Sequence, residues 1–298
     1  MRRPAVLLTF FLLATRGAGA QLVPGRDLLA FPLGLNAEAP ALGSIAGLGL
    51  WNPASVLVPD GYRMRLAVGA MSAPVDVAVS AQYAMAAARW KDGITVGMSI
   101  ASASVQDLLR TDSDPESIGD EIPYSTTVVS ALAARAVGPL TIGTALRVRN
   151  GRLDNEQRSA VSLDVGVITR GFGSRDVRVG ASTFLASPFS HGKERSSLLA
   201  AVDVRLVGAD SLRTARVGVS SMVSDGLSRE AYGYVGGRYA RLEGRVGAAL
   251  TQAYGRSNWR ARLGIAFHHR GYAIAVAREE SAGNLSATYQ FSLSSVLK

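Results

Sequence analysis

The sequence predicts an all-β protein: a transmembrane antiparallel up-and-down β-barrel of about 14 strands with an N-terminal plug-like segment. Three observations support this prediction. Apolar and polar residues alternate along the chain, the alternating segments are long, and the connections between them alternate in length. Beyond the N-terminus, the chain lacks the stretches of ~20 apolar residues that a polytopic helical membrane protein needs.

The first observation is a period of two from residue 62 onward. In 198–206 the even positions are all apolar, whereas Asp203 and Arg205 occupy the odd positions. The segments 241–248 and 259–267 repeat this pattern. Because successive side chains of a strand point to opposite faces, each strand has one apolar face and one face of Arg, Asp, Gly and Ser.

The second observation is segment length. Most alternating segments span 10–14 residues, whereas soluble strands have ~5–6 residues and a tilted membrane strand needs ~9–11. Their number is even, as in bacterial outer-membrane barrels. The predicted strands are 62–72, 75–90, 93–104, 124–137, 140–149, 158–169, 176–187, 195–207, 211–222, 230–239, 241–251, 258–269, 271–279 and 284–295.

The third observation is the alternation of connections. Tight turns follow the even-numbered segments, and mostly longer polar loops follow the odd-numbered ones. The short connection at 72–74 and the longer one at 171–175 fit less well. Outer-membrane barrels combine short periplasmic turns with longer external loops. The alternative, a soluble secreted β-sandwich, buries its apolar faces between two sheets and has no reason to alternate its connections.

The N-terminus has the pattern of a secretory signal peptide. Arg2 and Arg3 precede the apolar stretch 5–14, and the small residues at 18–20 form a cleavage site. We therefore predict cleavage after Ala20 and export to the bacterial outer membrane. The predicted organisation is a signal peptide (1–20), an N-terminal plug or hatch segment (21–61) and a transmembrane β-barrel (62–298).

The segment 21–61 has no sustained period of two and contains many apolar residues, which predicts packing in or beneath the barrel. It ends in the motif Gly-Leu-Trp-Asn-Pro-Ala-Ser at 49–55, shortly before a strand that starts Tyr-Arg. This order resembles the FadL and PorV/PorQ group of outer-membrane barrels. The resemblance implies fourteen strands and an N-terminal segment folded into the barrel. By themselves, Asn52, Pro53 and Ala54 predict a turn. The last strand departs from many such barrels because it does not end on an aromatic residue.

Arginine dominates the basic residues, since only Lys91, Lys193 and Lys298 are lysine. Many arginines fall on the polar face of the predicted strands and therefore point into the lumen. They form either an ion-paired ladder that fills the lumen or a cationic lining that attracts anions, such as a fatty-acid carboxylate. The lumen-facing candidates are Arg147, Arg149, Arg178, Arg205, Arg245, Arg260, Arg262, Asp164, Asp203 and Glu243.

Catalytic and metal-binding motifs are not found. The chain has no Cys, and it contains no G-x-S-x-G, H-E-x-x-H or phosphate-loop pattern. We therefore expect no enzyme activity, no metal and no cofactor. Nucleic acid is not an expected partner, because the arginines alternate along strands rather than forming one exposed patch with stacking aromatics.

The predicted function is passage of hydrophobic or anionic small solutes, or a scaffold for protein export. A structural or adhesive surface barrel without transport and a soluble secreted β protein are the alternatives. The expected partners are outer-membrane lipid and either a hydrophobic small molecule or exported proteins.

Overall fold

The fold is described by a computed structural model that covers most of the chain. The described residues are 23–30, 37–45, 47–73, 78–106, 108–110, 121–169, 171–187, 196–208, 213–224, 228–253, 256–280 and 287–298. The predicted signal peptide lies outside them. Within these ranges, no helix has the length and apolar character needed to cross a membrane.

Fourteen antiparallel strands form one closed barrel in chain order, with β1 paired to β14. This confirms the predicted fold class. Closure leaves no unpaired strand edge. A sheet in the membrane requires this closure, because lipid provides no hydrogen-bond partners for backbone N–H and C=O groups. The strands are β1 Met64–Ser72, β2 Val79–Arg89, β3 Ile94–Val105, β4 Tyr124–Val137, β5 Leu140–Leu153, β6 Glu156–Thr169, β7 Arg178–Phe184, β8 Ser197–Val207, β9 Arg213–Ser224, β10 Ser228–Tyr239, β11 Leu242–Ala253, β12 Arg256–His269, β13 Tyr272–Glu279 and β14 Thr288–Leu297.

The two ends of the barrel differ in their connections. At one end β1 begins and β14 ends, and two-residue turns join β4 to β5, β10 to β11 and β12 to β13. We call this the turn end and the opposite one the loop end. The turn between β12 and β13 uses Arg270 and Gly271, whose φ angles of 45° and 90° are the positive values that a type I′ hairpin needs.

Three connections at the loop end are shorter than the sequence predicts. The predicted loop 150–157 is wrong, because β5 continues to Leu153 and β6 begins at Glu156, which leaves a two-residue turn. The predicted loops 223–229 and 252–257 are also mostly strand. The polar residues there suggested loops, but strand pairing uses backbone groups and can continue beyond an apolar belt.

The outer face of the barrel is apolar. Met98 and Ile265 are both 65% exposed near the middle of their strands, and Val219 is 60% exposed. Exposed aromatic side chains lie near the strand ends, with Trp90 at the turn end and Trp259 at the loop end. An apolar belt between aromatic residues is the surface that a transmembrane barrel presents to lipid.

The N-terminal segment, residues 23–63 where described, passes through the lumen. Near the loop end, the carbonyl of Pro24 lies so close to Gly151 that a Cβ there would overlap it. Near the turn end, Val58 N donates to Thr95 Oγ1 over 3.0 Å. The segment therefore runs from one end of the barrel to the other, and its described residues form short 3-10 turns on the way. The boundaries 21–61 and 62–298 stay predictions.

Candidate functional site in the barrel lumen

The lumen has two walls of different chemistry. The apolar wall comprises inward-facing side chains of β1 to β4, which form one buried cluster with leucines, Trp51, Val56 and Val58 of the N-terminal segment. Most of these side chains are apolar and pack closely against the segment, and Tyr83 also donates its hydroxyl to Leu48 O. The wall residues are Ala67, Met71, Val79, Ala81, Tyr83, Met85, Ala87, Ala101, Ala103, Val128, Leu132 and Ala134.

The charged wall lies opposite, on β5 to β13. Each of the ten residues proposed from strand parity is on the inward-facing side of its strand there, with a buried or half-buried side chain. Three further charged residues belong with them. The charged wall comprises Arg147, Arg149, Asp164, Arg178, Asp203, Arg205, Arg216, Glu230, Glu243, Arg245, Arg260, Arg262 and Glu279.

Arg147 links the wall to the N-terminal segment. Its Nε donates to Asp164, and both side chains are 0% exposed. Its Nη2 donates to the carbonyls of Gly49 and Leu50, at 3.1 and 2.6 Å. Asp164 also accepts from Ala186 N over 2.8 Å, so this buried pair has additional hydrogen-bond partners. A buried ion pair needs such extra bonds to offset the loss of hydration.

Two other arginines bind backbone carbonyls of the segment. Arg149, which is 1% exposed, donates to the carbonyls of Val23 and Pro24, at 3.2 and 2.9 Å. Arg65 on β1 donates to the carbonyls of Ser44 and Leu57, among others, at 2.7 and 3.2 Å. An irregular segment buried in a lumen has carbonyls that no strand or helix satisfies, and the arginines supply donors for them.

A second cluster joins β7, β8 and β9. Arg178 contacts both carboxylate oxygens of Asp203, at 3.0 and 2.8 Å. Arg216 binds the same carboxylate and also Asp176 Oδ2 over 2.6 Å. Arg205 lies at the edge, with Nη1 3.9 Å from Asp176 Oδ2. Strand-to-strand pairs of this kind fix the register of the wall.

A third cluster lies on β10 to β13. Arg262 donates to both oxygens of Glu230 over 2.8 Å and also binds Glu279. Arg260 bridges the same two glutamates, at 3.2 and 2.5 Å. The guanidinium of Arg262 lies 4.8 Å from the ring centroid of Tyr232, whose hydroxyl donates to Ala37 O over 2.8 Å. This cluster therefore also reaches the N-terminal segment.

Glu38 gives the segment its own ionic contact with the wall. Its carboxylate lies 2.7 Å from Arg245 Nη1 and accepts from Ser44 N over 2.7 Å. Arg245 also pairs with Glu243, which in turn contacts His268 Nε2 over 2.8 Å. Parity could not have identified Glu38, because the segment has no strand period. The available signal was an isolated acid between apolar residues.

The motif at Asn52, Pro53 and Ala54 docks against β6 and β7. Asn52 is 1% exposed, and its Nδ2 donates to the carbonyls of Ala41 and Val167, at 2.8 and 3.2 Å. Its Oδ1 accepts from Ala54 N over 2.9 Å and so caps the short 3-10 turn that Pro53 begins. The motif is therefore a turn that also binds the barrel wall.

Glycines of the wall make room for this docking. A Cβ on Gly143 would overlap the backbone of Pro53 and Ala54, and a Cβ on Gly166 would overlap the Asn52 side chain. Gly180 meets the carbonyl of Ala41 in the same way. Close approach of two backbones is a common reason for glycine inside a strand. Within the described ranges, no cluster of three or more His, Asp or Glu could hold a metal ion.

Comparison with known proteins identifies solved structures that share this fold. No protein-family model and no curated protein sequence matches the chain. A FadL homologue from Pseudomonas aeruginosa superposes with a TM-score of 0.55 at 11% identity, covering 94% of this chain and 99% of that one. The deltaS2S3 mutant of the monoaromatic hydrocarbon channel TodX gives a TM-score of 0.54 at 12% identity, covering 89% and 98%. At these identities the similarity establishes the barrel fold.

Proposed function

We propose that the protein is an outer-membrane channel for small hydrophobic molecules, in which the N-terminal segment closes the lumen and the apolar wall guides the solute. The observation that carries this proposal is the continuity of the apolar wall. It extends from Met71 and Val79 beside the loop end, through Tyr83 and Ala101, to Ala87 near the turn end.

An apolar wall suits an apolar solute. A hydrocarbon gains free energy on leaving water for such a surface, at roughly 25 cal/mol per Å² of apolar area buried. The fold shared with TodX, which is a monoaromatic hydrocarbon channel, supports small apolar ring compounds as the solute class. A water-filled porin lumen, by contrast, is lined by polar side chains.

In this proposal the charged wall holds the segment and does not carry the solute. The guanidinium groups of Arg147, Arg178 and Arg262 are already bound by carboxylates or carbonyls. Passage of anionic solutes is therefore the weaker proposal. The roles of a scaffold for exported proteins and of an adhesive surface barrel stay predictions.

The test is uptake by a Gram-negative host that expresses the protein. We expect labelled toluene to enter faster than in cells without the protein, and a labelled sugar of similar size to stay at background. The double variant Val79→Thr, Val128→Thr places two hydroxyls in the apolar wall without changing its volume. Because a hydroxyl there disfavours contact with a hydrocarbon, toluene uptake should fall roughly threefold or more.

The matched control places the same isosteric change on the lipid-facing side, as Val219→Thr, Val246→Thr, and uptake should stay at the wild-type rate. Heat-modifiable migration in detergent gels verifies folding of each variant. Equal effects of the two pairs, or sugar uptake as fast as toluene uptake, would contradict the proposal.

A further inference from the structure

Exposed basic side chains surround the barrel at its turn end. Acidic residues are fewer there in the described part of the chain, and apart from the exposed Asp92 they include two that pair with arginines. Asp60 pairs with Arg89, and Asp176 pairs with Arg216. The turn end therefore presents mainly positive charge to its surroundings.

The first basic group surrounds Trp90, which is 64% exposed. Lys91 follows it in sequence. Arg63 lies opposite Arg89 at the same rim, where its carbonyl accepts a hydrogen bond from Arg89 N over 2.8 Å. Arg135 faces outward on β4 opposite Ile94, which accepts a hydrogen bond from Trp90 N. Lys91 and Arg135 thus lie next to the exposed indole, Arg63 is exposed at the same rim, and Asp92 is the exposed acid beside them.

Similar groups occur elsewhere on the circumference. Arg213 lies directly across from Tyr239 on β9 and β10, with its guanidinium carbon 5.2 Å from the ring centroid. Arg270 precedes the exposed Tyr272 in the turn to β13, where β14 ends next to Lys298. Tyr239 and Tyr272, like Trp90, therefore have basic neighbours.

At the loop end, three arginines form ion pairs with acidic residues. Arg110 binds Asp154 and Arg278 binds Glu280, both at 2.7 Å. Arg158 also binds Glu156 over 2.7 Å. In the described part of the loop end, these three arginines pair with acids of this chain, whereas exposed acids are fewer than exposed cations in the described part of the turn end.

We propose that the basic ring at the turn end binds the anionic headgroups of phospholipids in the adjoining bilayer leaflet. Exposed tryptophan and tyrosine mark the level of the headgroups, and Arg135 and Arg213 lie beside them on the outward side of their strands. An arginine side chain can bind a phosphate through two parallel N–H groups. The distribution around the circumference matches a shell of lipid, whereas one acidic protein would contact a patch on one side.

Brominated lipids test this proposal, because bromine quenches a tryptophan that it touches. The chain has three tryptophans, at 51, 90 and 259. Variants that keep only Trp90 or only Trp259, with phenylalanine at the other positions, are reconstituted in phosphatidylcholine containing brominated phosphatidylglycerol or brominated phosphatidylcholine. Trp259 at the loop end is 70% exposed and serves as the matched internal control.

We expect phosphatidylglycerol to be preferred about threefold or more at Trp90 and about equally with phosphatidylcholine at Trp259. The variant Arg63→Gln, Lys91→Gln, Arg135→Gln should abolish the preference at Trp90, and high salt should weaken it. The control Arg229→Gln, Arg278→Gln at the loop end should leave it unchanged. Equal preference at the two tryptophans, or a preference at Trp90 that survives the triple substitution, would overturn the proposal.

Discussion

The two walls of the lumen hold the same N-terminal segment by different interactions. The charged wall binds it through directional bonds, such as those from Arg147 to Gly49 O and from Arg245 to Glu38. The apolar wall contacts Leu48 and Leu50 mainly through packing, and its directional bonds to the segment are few, such as the one from the Tyr83 hydroxyl to Leu48 O. Directional bonds fix the position of the segment, whereas apolar packing has no preferred register and tolerates replacement by another apolar group. A hydrophobic solute can therefore compete with the segment on one wall while the other wall keeps it attached.

The largest expected effect comes from breaking the charged wall. Arg147→Met should destabilise the barrel by about 3–5 kcal/mol, because it leaves the Asp164 carboxylate buried without its cation and frees two carbonyls of the segment. Urea unfolding in lipid vesicles, followed by tryptophan fluorescence, measures the loss.

The double variant Arg147→Met, Asp164→Leu is the control for this prediction. It removes the stranded carboxylate, so a part of the stability should return. A single variant as stable as the wild type would mean that the buried pair does not hold the segment.

A smaller effect is expected where the segment approaches the backbone of the wall. Gly143→Ala adds one methyl group that would overlap Pro53 and Ala54, at a cost of about 1–3 kcal/mol, and should loosen the segment. Faster protease cleavage within residues 37–58 of the folded barrel reports this loosening.

Gly244→Ala on β11 is the matched substitution, since a Cβ there meets nothing within 4 Å. It should leave both the urea midpoint and the cleavage rate near the wild-type values. The claim that the methyl group at position 143 acts by crowding the segment would fail if it and the lipid-facing control at position 244 gave the same cleavage rate.

The smallest effect is expected on the apolar wall. Met85→Leu keeps volume and polarity, so it should cost less than about 1.5 kcal/mol and leave cleavage of the segment unchanged. The same urea and protease measurements apply. A loss as large as that of Arg147→Met would show that the apolar wall, like the charged wall, requires one specific arrangement.

The sequence predicted the barrel well because lipid imposes a simple rule. Every strand must show an apolar outer face, so the period of two survives along the chain and gave β4 its observed bounds, Tyr124–Val137. Loop-end bounds such as Leu153 and Glu156 were missed because polar side chains do not stop backbone pairing. The hydrophobic pattern indicates which part of a strand lies in the membrane. It does not indicate how far the strand extends beyond the membrane.

The lumen was harder to predict because its contents come from tertiary packing. Arg216 has the same parity signal as its neighbours and could have been found. Glu230 shares its face with Tyr232 and Tyr234, so that face of β10 does not look polar. A side chain that faces the lumen is also not necessarily in contact with water. Ala201 faces inward yet is only 3% exposed, so an arginine there would overfill the packed interior.

The central claim is that the N-terminal segment is packed inside the lumen, and labelling of a single cysteine tests it most directly. The chain has no Cys, so Val56→Cys in the segment and Asn155→Cys in an exposed turn each give one reactive thiol. Each variant is treated with a sulfonated maleimide in vesicles after heat-modifiable migration has verified folding. We expect Cys at position 56 to react at least about a hundredfold more slowly than Cys at position 155, because reaction must wait for the segment to leave the lumen. Equal labelling rates in the folded barrel would contradict the account.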